Sequence, residues 1–234
     1  MIIPMMFSTV GLVPGQQQWI TAGTFNFVVP DYCYEIAGVG IGSGASGATG
    51  ASGDTSTSGA GGGGALTYDN DIAVTPGETL TVVVGAPGAK VNVDNSNGNN
   101  GAACQIKRGA TVLLDSNGGS RGLNTQIGGN GGVASAPAGG VSWAGGAGRN
   151  GATASRAYGG TSGRYTSAGV TGSHGNVGGG LGLCASLFGD DTGTDIGRGS
   201  DGVRQNAQST AGYTGGVRIM WGPGRSFPSN AADV

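Results

Sequence analysis

The sequence predicts an all-β fold in which a small antiparallel β-scaffold carries a bundle of polyglycine II-like helices, with essentially no α-helix. Three observations predict it. Glycine supplies 54 of the 234 residues, about three times its usual share. Short β-branched and aromatic runs are separated by turn residues, and no segment shows a capped apolar period of 3.6. Within the glycine tracts, glycine recurs at every third position, the period of an extended left-handed helix with three residues per turn.

In chain order, Met1 to Phe7 is apolar but short and lacks a basic region, so it reads as docking segment rather than signal peptide, and residues 1–18 are grouped with it. Residues 19–120 read as a β-rich scaffold. Phe25, Phe27 and Val29 share one face of a first strand, and Tyr32 to Ile41 is a second β-rich run. Ile72 to Val74 and Thr79 to Val84 are joined by Thr75-Pro76-Gly77-Glu78, where proline presets φ and glycine accepts a positive φ. Gln105 to Lys107 and Ala110 to Leu114 form a hairpin around Arg108-Gly109. A glycine tract at 42–64 is inserted in this scaffold. Gly44, Gly47, Gly50 and Gly53 repeat every third residue there, and Gly59 and Gly62 keep the phase.

Residues 121–212 read as the glycine-rich bundle. From 145 to 178, the every-third positions are Gly145, Gly148, Gly151, Ala154, Ala157, Gly160, Gly163, Thr166, Gly169, Gly172, Gly175 and Gly178. Nine of these twelve are glycine and the others are small. A threefold extended helix has no internal hydrogen bonds, so its N–H and C=O groups point outward. A glycine edge lets a neighbouring chain approach and satisfy them. Proline is too scarce for a collagen-like triple helix. Run straight, the 34-residue tract would be roughly 105 Å long at about 3.1 Å per residue, too long for one compact domain. It must turn where glycine fails, at Ala154 to Tyr158 and Arg164 to Ala168. Large residues fit a small-residue lattice badly, so Arg156, Tyr158, Arg164 and Tyr165 are expected on exposed turns. Residues 213–234 hold a closing strand, Val217 to Trp221, and a tail.

Catalytic and metal chemistry is poorly represented. A net charge of −2 gives no footprint for nucleic acid or an acidic membrane, and no apolar run is long enough to span a bilayer. Cys33, Cys104 and Cys184 are odd in number and widely spaced, so free buried thiols are expected. The single histidine, His174, has no nucleophile elbow to serve. Gly42-Ser43-Gly44-Ala45-Ser46-Gly47 matches a dinucleotide fingerprint but lacks its helix and acid. Gly85-Ala86-Pro87-Gly88-Ala89-Lys90 has the wrong spacing for a phosphate loop. Asp190, Asp191, Asp195 and Asp201 offer oxygen ligands for Ca²⁺, but their spacing matches no known loop, and a solvated acidic loop is expected. The reading is of a non-enzyme with no cofactor and no metal.

The segment Asp69 to Gly85, the run Gln105 to Gly109 with Val112-Leu113-Leu114, and above all Gly216-Val217-Arg218-Ile219-Met220-Trp221-Gly222-Pro223-Gly224-Arg225-Ser226-Phe227-Pro228 resemble the glycine-rich domain of bacteriophage tail-fibre and receptor-binding adhesin proteins. The resemblance implies a virion protein, made in the host cytoplasm, with other tail, fibre or capsid proteins as partners and a host cell-surface receptor as ligand. It also raises a homotrimer, although no heptads for a stalk are present. Receptor contact is expected on loops between polyglycine II helices. Trp143, Arg149, Arg156, Tyr158, Arg164 and Tyr165 are the candidates, because Trp, Tyr and Arg combine large contact area with a polar end. The alternative is a structural decoration or fibre component without receptor binding, since only some 18 residues precede the first β run. Ice binding is a third, less supported reading.

Overall fold

The computed structural model describes residues 13–50, 57–152, 156–175, 185, 187, 195–203 and 208–228. No helix occurs among them. The strands are β1 (Gly15–Trp19), β2 (Gly23–Val28), β3 (Glu35–Ile41), β4 (Leu66–Ala73), β5 (Thr79–Val84), β6 (Cys104–Arg108), β7 (Thr111–Ser116), β8 (Val141–Trp143), β9 (Arg156–Ala157), β10 (His174–Gly175) and β11 (Gly216–Trp221). β1-β11-β3-β4-β8 form one antiparallel sheet and β2-β5-β6-β7 another, while β9 and β10 make a short ribbon. The turns use the chemistry the sequence offers. Gly77 has φ +77° between β4 and β5, and Gly109 has φ +57° between β6 and β7.

The two sheets pack face to face. Phe27, Leu80, Val82, Ile106 and Leu114 from one meet Ile36, Ile72, Val217 and Ile219 from the other. Burial of each such side chain contributes about 1.5–3 kcal/mol. The five-stranded sheet is buried on its other face too, where Ala37, Val39, Ile41, Leu66 and Met220 pack against Tyr165, Leu187 and Phe227. This double burial explains why β3 reads as small and apolar throughout rather than alternating. A Cβ on Gly38 would lie 2.8 Å from Ile106 Cδ1, so glycine there sets how closely the sheets approach.

Beyond one end of this sandwich, the strands continue as rods of extended chain. β3 runs on as 42–50, 57–65 leads into β4, 96–103 leads into β6, β7 runs on as 117–123, and β8 as 144–152. The sheet register carries across unchanged. Ile41 faces Leu66 in the sheet, and then Gly42, Ala45 and Ala48 donate to the carbonyls of Ala65, Gly62 and Gly59. Leu66 faces Trp143, and then Gly63, Ala60 and Thr57 donate to Gly146, Arg149 and Ala152. In the sheets, bonding repeats every two residues along a strand. In the rods, it repeats every three.

The rod 57–65 lies at the centre. Its N–H groups leave in three directions in turn. Thr57, Ala60 and Gly63 donate to rod 144–152, and Ser58, Gly61 and Gly64 donate to Val203, Ser200 and Gly197. Gly59, Gly62 and Ala65 donate to Leu123, Ser120 and Asn117. Its carbonyls accept from three further rods: 42–48, 129–132 (Gly129 and Gly132) and 160–163 (Gly160 and Gly163). Every N–H of this rod is thus bonded to another rod, and all nine residues are buried. Close approach on six sides requires glycine: a Cβ on Gly59, Gly62 or Gly63 would sit 1.9–2.0 Å from the carbonyl oxygen of Ile127, Asn130 or Thr161. The lattice therefore has a core of backbone, which satisfies the requirement that buried peptide groups be paired. It draws rods both from the segment 19–120 and from 121–212.

The long tract reverses between 152 and 157 and again between 163 and 169. Gly146 and Arg149 donate to Thr161 and Tyr158, and then Thr161 and Tyr158 donate to Val170 and Ser173. The reversal between 163 and 169 falls where the glycine period fails.

Candidate functional site

Because rods and strands are collinear, the molecule has a base and a tip. The turns Pro30–Cys33, Thr75–Glu78 and Arg108–Thr111 lie at the sandwich end, with Pro14 against Gly222. At the far end, the chain reverses at 91–95 and 123–127. Thr49 Oγ1 donates to Val93 O (2.5 Å) and accepts from the Ser96 N–H (3.0 Å). Asn95 N–H donates to Gly50 O, and Asn124 Nδ2 bonds Asn95 O (2.9 Å) and Oδ1 (3.0 Å). Gly151 N–H donates to Gln126 O, and Gly128 N–H donates to Asn150 Oδ1 (2.8 Å). These bonds join two loops and the end of rod 144–152 into one surface. On it Val93 is 67% exposed and Ile127 53%, and Arg149 is exposed beside them.

Of the six candidate residues, Arg149 is at this tip. Arg156 lies in β9, and its side chain is outside the description. The expectation of exposure fails for both tyrosines, which are buried. Tyr165 lies within the sandwich-end reversal and packs on the outer face of the five-stranded sheet, stacked on Phe227 at 6.3 Å and tilted against Tyr68 at 5.8 Å. A large ring is excluded from the glycine lattice but fits the side-chain core beside it. Tyr158 is on rod 157–163, which among the described residues bonds to four rods (57–65, 144–152, 169–173 and 197–203) rather than six. Arg164 is half-buried at the sandwich-end turn, where its N–H donates to Ser167 O. Trp143 is half-buried in β8 against the outer-face core, not on a turn.

Sequence reasoning missed Val93 and Ile127. Their signal was an apolar residue stranded among asparagines and glycines where a rod must reverse. Asp195 and Asp201 both face Arg198, at 3.9 and 3.4 Å, and Arg198 lies 5.6 Å over the Tyr213 ring. Asp201 also accepts the Gly159 N–H. The pair is thus engaged by a cation of the protein itself; Asp190 and Asp191 lie outside the described residues, as do Cys184 and residues 1–12 of the docking segment 1–18, whose end forms part of β1. His174 is in β10, its side chain outside the description. Cys33 and Cys104 are free and buried. Burial pushes both thiols up, Cys104 to about 11, and an un-ionised thiol is a poor nucleophile.

The family model described as a glycine-rich domain matches residues 20–231. No curated protein matches the chain.

Proposed function

Since the chain belongs to the glycine-rich domain family, we propose that it is a bacteriophage tail-fibre or tail-tip adhesin module whose rods are polyglycine II-like helices and whose rod tips bind the host surface. The observation that carries this reading is the polarity of the molecule. Rods locked together by backbone bonds hold the reversals at 91–95 and 123–127 at one end, while the sandwich and its turns form the other. A rigid stem lowers the ordering cost of contacts made at its tip. Val93, Ile127 and Arg149 supply the apolar and cationic contacts; Tyr158 and Tyr165 do not. At the base, Tyr32 is 58% and Tyr34 69% exposed, and this end serves attachment to other virion proteins. The closing segment Gly216 to Pro228, which resembles the phage proteins, supports the virion setting.

The test is binding of fluorescently labelled protein to whole bacteria of a susceptible host. Ile127→Ser with Arg149→Ala is expected to lower cell-bound signal at least tenfold, whereas Tyr34→Ala leaves it unchanged. Undiminished binding by the tip variant removes the tip as the adhesive site.

A further inference from the structure

A rod on the outside of the lattice has N–H groups that no other rod can reach. On rod 117–123 and its tip turn, two of these belong to Arg121 and Asn124, and side chains satisfy them. Arg121 N–H donates to Asn100 Oδ1 at 2.8 Å, and Asn124 N–H donates to Asn97 Oδ1 at 2.9 Å. Two asparagines three apart match two amides three apart, which is the lattice repeat. At the tip end of the same line, Asn95 Oδ1 accepts from Asn124 Nδ2.

This capping has a consequence for the other half of each amide. A backbone N–H can be met only by an acceptor, so Asn97 and Asn100 must present oxygen inward and NH₂ outward. Asn95, Asn97 and Asn100 are exposed, and none of their Nδ2 atoms has an acceptor among the described residues. The result is a line of fixed, unspent donors, with Asn97 and Asn100 about 9 Å apart at three residues of 3.1 Å. Arg121 is exposed on the adjoining rod and makes no ion pair among the described residues. The exposed residues along these two rods are Asn97, Asn99, Asn100, Ala102, Ser120 and Arg121, none of them large and apolar.

We propose that this flank binds an acidic polysaccharide lying along the rods, with Asn95, Asn97 and Asn100 donating to its hydroxyl, ring and carboxylate oxygens and Arg121 pairing with its carboxylates. A protein partner would want apolar or aromatic anchors, and single-stranded nucleic acid would want aromatic stacking and more cations. A row of fixed donors with one cation suits a polymer rich in oxygen acceptors, its hydroxyl, ring and carboxylate oxygens, that carries negative charge along its length. The inference deepens the adhesive reading and rests on it for its setting at a cell surface, but the surface is the lattice flank, not the tip.

The experiment is native electrophoresis of the full chain through gels containing polygalacturonate, neutral dextran or polyglutamate. Retardation by polygalacturonate alone is expected. The double variant Asn97→Asp/Asn100→Asp keeps an oxygen for each capped N–H, so its melting temperature should stay close to that of the parent. It replaces both donors by negative charge, and retardation should weaken about tenfold or more. No retardation of the parent, equal retardation of the variant, or equal retardation by polyglutamate or dextran each overturns the proposal. Whole-cell binding separates it from the adhesive reading. If Asn97→Asp/Asn100→Asp binds cells normally while Ile127→Ser/Arg149→Ala does not, the flank fails and the tip stands.

Discussion

The sandwich and the lattice are made from the same chains in the same register, yet they are held together by opposite means. Between the sheets, side chains such as Ile106, Leu114 and Ile219 fill the space. In the lattice, peptide groups fill it, and side chains are what must be kept out. Gly62 shows the difference. A Cβ there would meet the carbonyl oxygen of Asn130 at 2.0 Å, and both groups belong to hydrogen-bonded backbone. Ordering glycine is costly, because it surrenders more conformational freedom than any other residue. The return is a rod whose every N–H is bonded. A stiff body can thus form from a chain only 37% hydrophobic.

The largest expected effect follows from this. Gly62→Ala has no flexible neighbour to displace, so at least two rods must separate, which breaks bonds at Ser120, Ala45 and their neighbours. The expected loss exceeds about 3 kcal/mol, a large share of the stability of a domain. Ser120→Ala, on the exposed side of a neighbouring rod, should change stability by less than about 0.5 kcal/mol. Chemical denaturation of the two variants beside the parent checks both. A Gly62→Ala protein as stable as the parent would refute a backbone core.

A smaller effect is expected where glycine faces side chains. Gly38→Ala would bring a methyl 2.8 Å from Ile106 Cδ1 and 3.2 Å from Ile72 Cδ1, a clash of about 1–3 kcal/mol. Ile106→Val removes the first of these atoms. Taken alone it costs about 0.5–1.5 kcal/mol, but combined with Gly38→Ala it should recover part of the loss. A double-mutant cycle by denaturation measures that coupling. No partner substitution can rescue Gly62→Ala, because no side chain is there to trim. Coupling of zero between Gly38→Ala and Ile106→Val would erase the proposed contrast between the two regions.

The same contrast decides what was legible in the sequence. The strands centred on Phe27, Val82, Ile106 and Ile219 announce themselves through apolar content and turn residues, and Gly77 and Gly109 mark their turns by conformational need. The break in the third-residue period at Arg164 to Ala168 coincides with the reversal between 163 and 169, whereas Ala154 and Ser155 lie outside the described residues and Tyr158 belongs to a rod. The period did not show that the rod enclosed on all sides is 57–65, because the run Gly61 to Gly64 is too rich in glycine to display any period. β1 and β8 were also hidden. Gln16 to Gln18 have no apolar signal, and Val141-Ser142-Trp143 is too short a run to mark a strand; the edges of the sheet they join confer their structure. Tyr165 was misplaced because its environment, the outer face of β3 and β11, is made by residues distant in sequence. At the tip, Arg149 was legible as a charge near a reversal. Val93 and Ile127 were not, since exposure of an apolar residue follows from the geometry of the reversal rather than from composition.

The smallest effect lies farthest from the lattice, at the base. Glu78 accepts from Arg108 Nε and Nη2, both at 2.8 Å, and from the Thr75 N–H at 2.9 Å. Arg108 Nη2 also donates to Ala73 O, so the pair ties the β4–β5 turn to the β6–β7 hairpin. The guanidinium holds the Glu78 carboxyl below its ordinary range. A depressed carboxyl stabilises the fold above its unfolded value, near 4.3, and this contribution is lost as pH falls through the lower folded value. Arg108 is 44% exposed, so screening limits the contribution to about 0.2–1 kcal/mol. Glu78→Gln should therefore be slightly less stable than the parent at pH 7, with the difference shrinking to nothing at a pH below the ordinary carboxylate range. Gly62→Ala should show no such dependence, because peptide groups do not titrate. Melting curves of the parent and both variants across that pH span check the sign: a Glu78→Gln deficit that grows on acidification would contradict it.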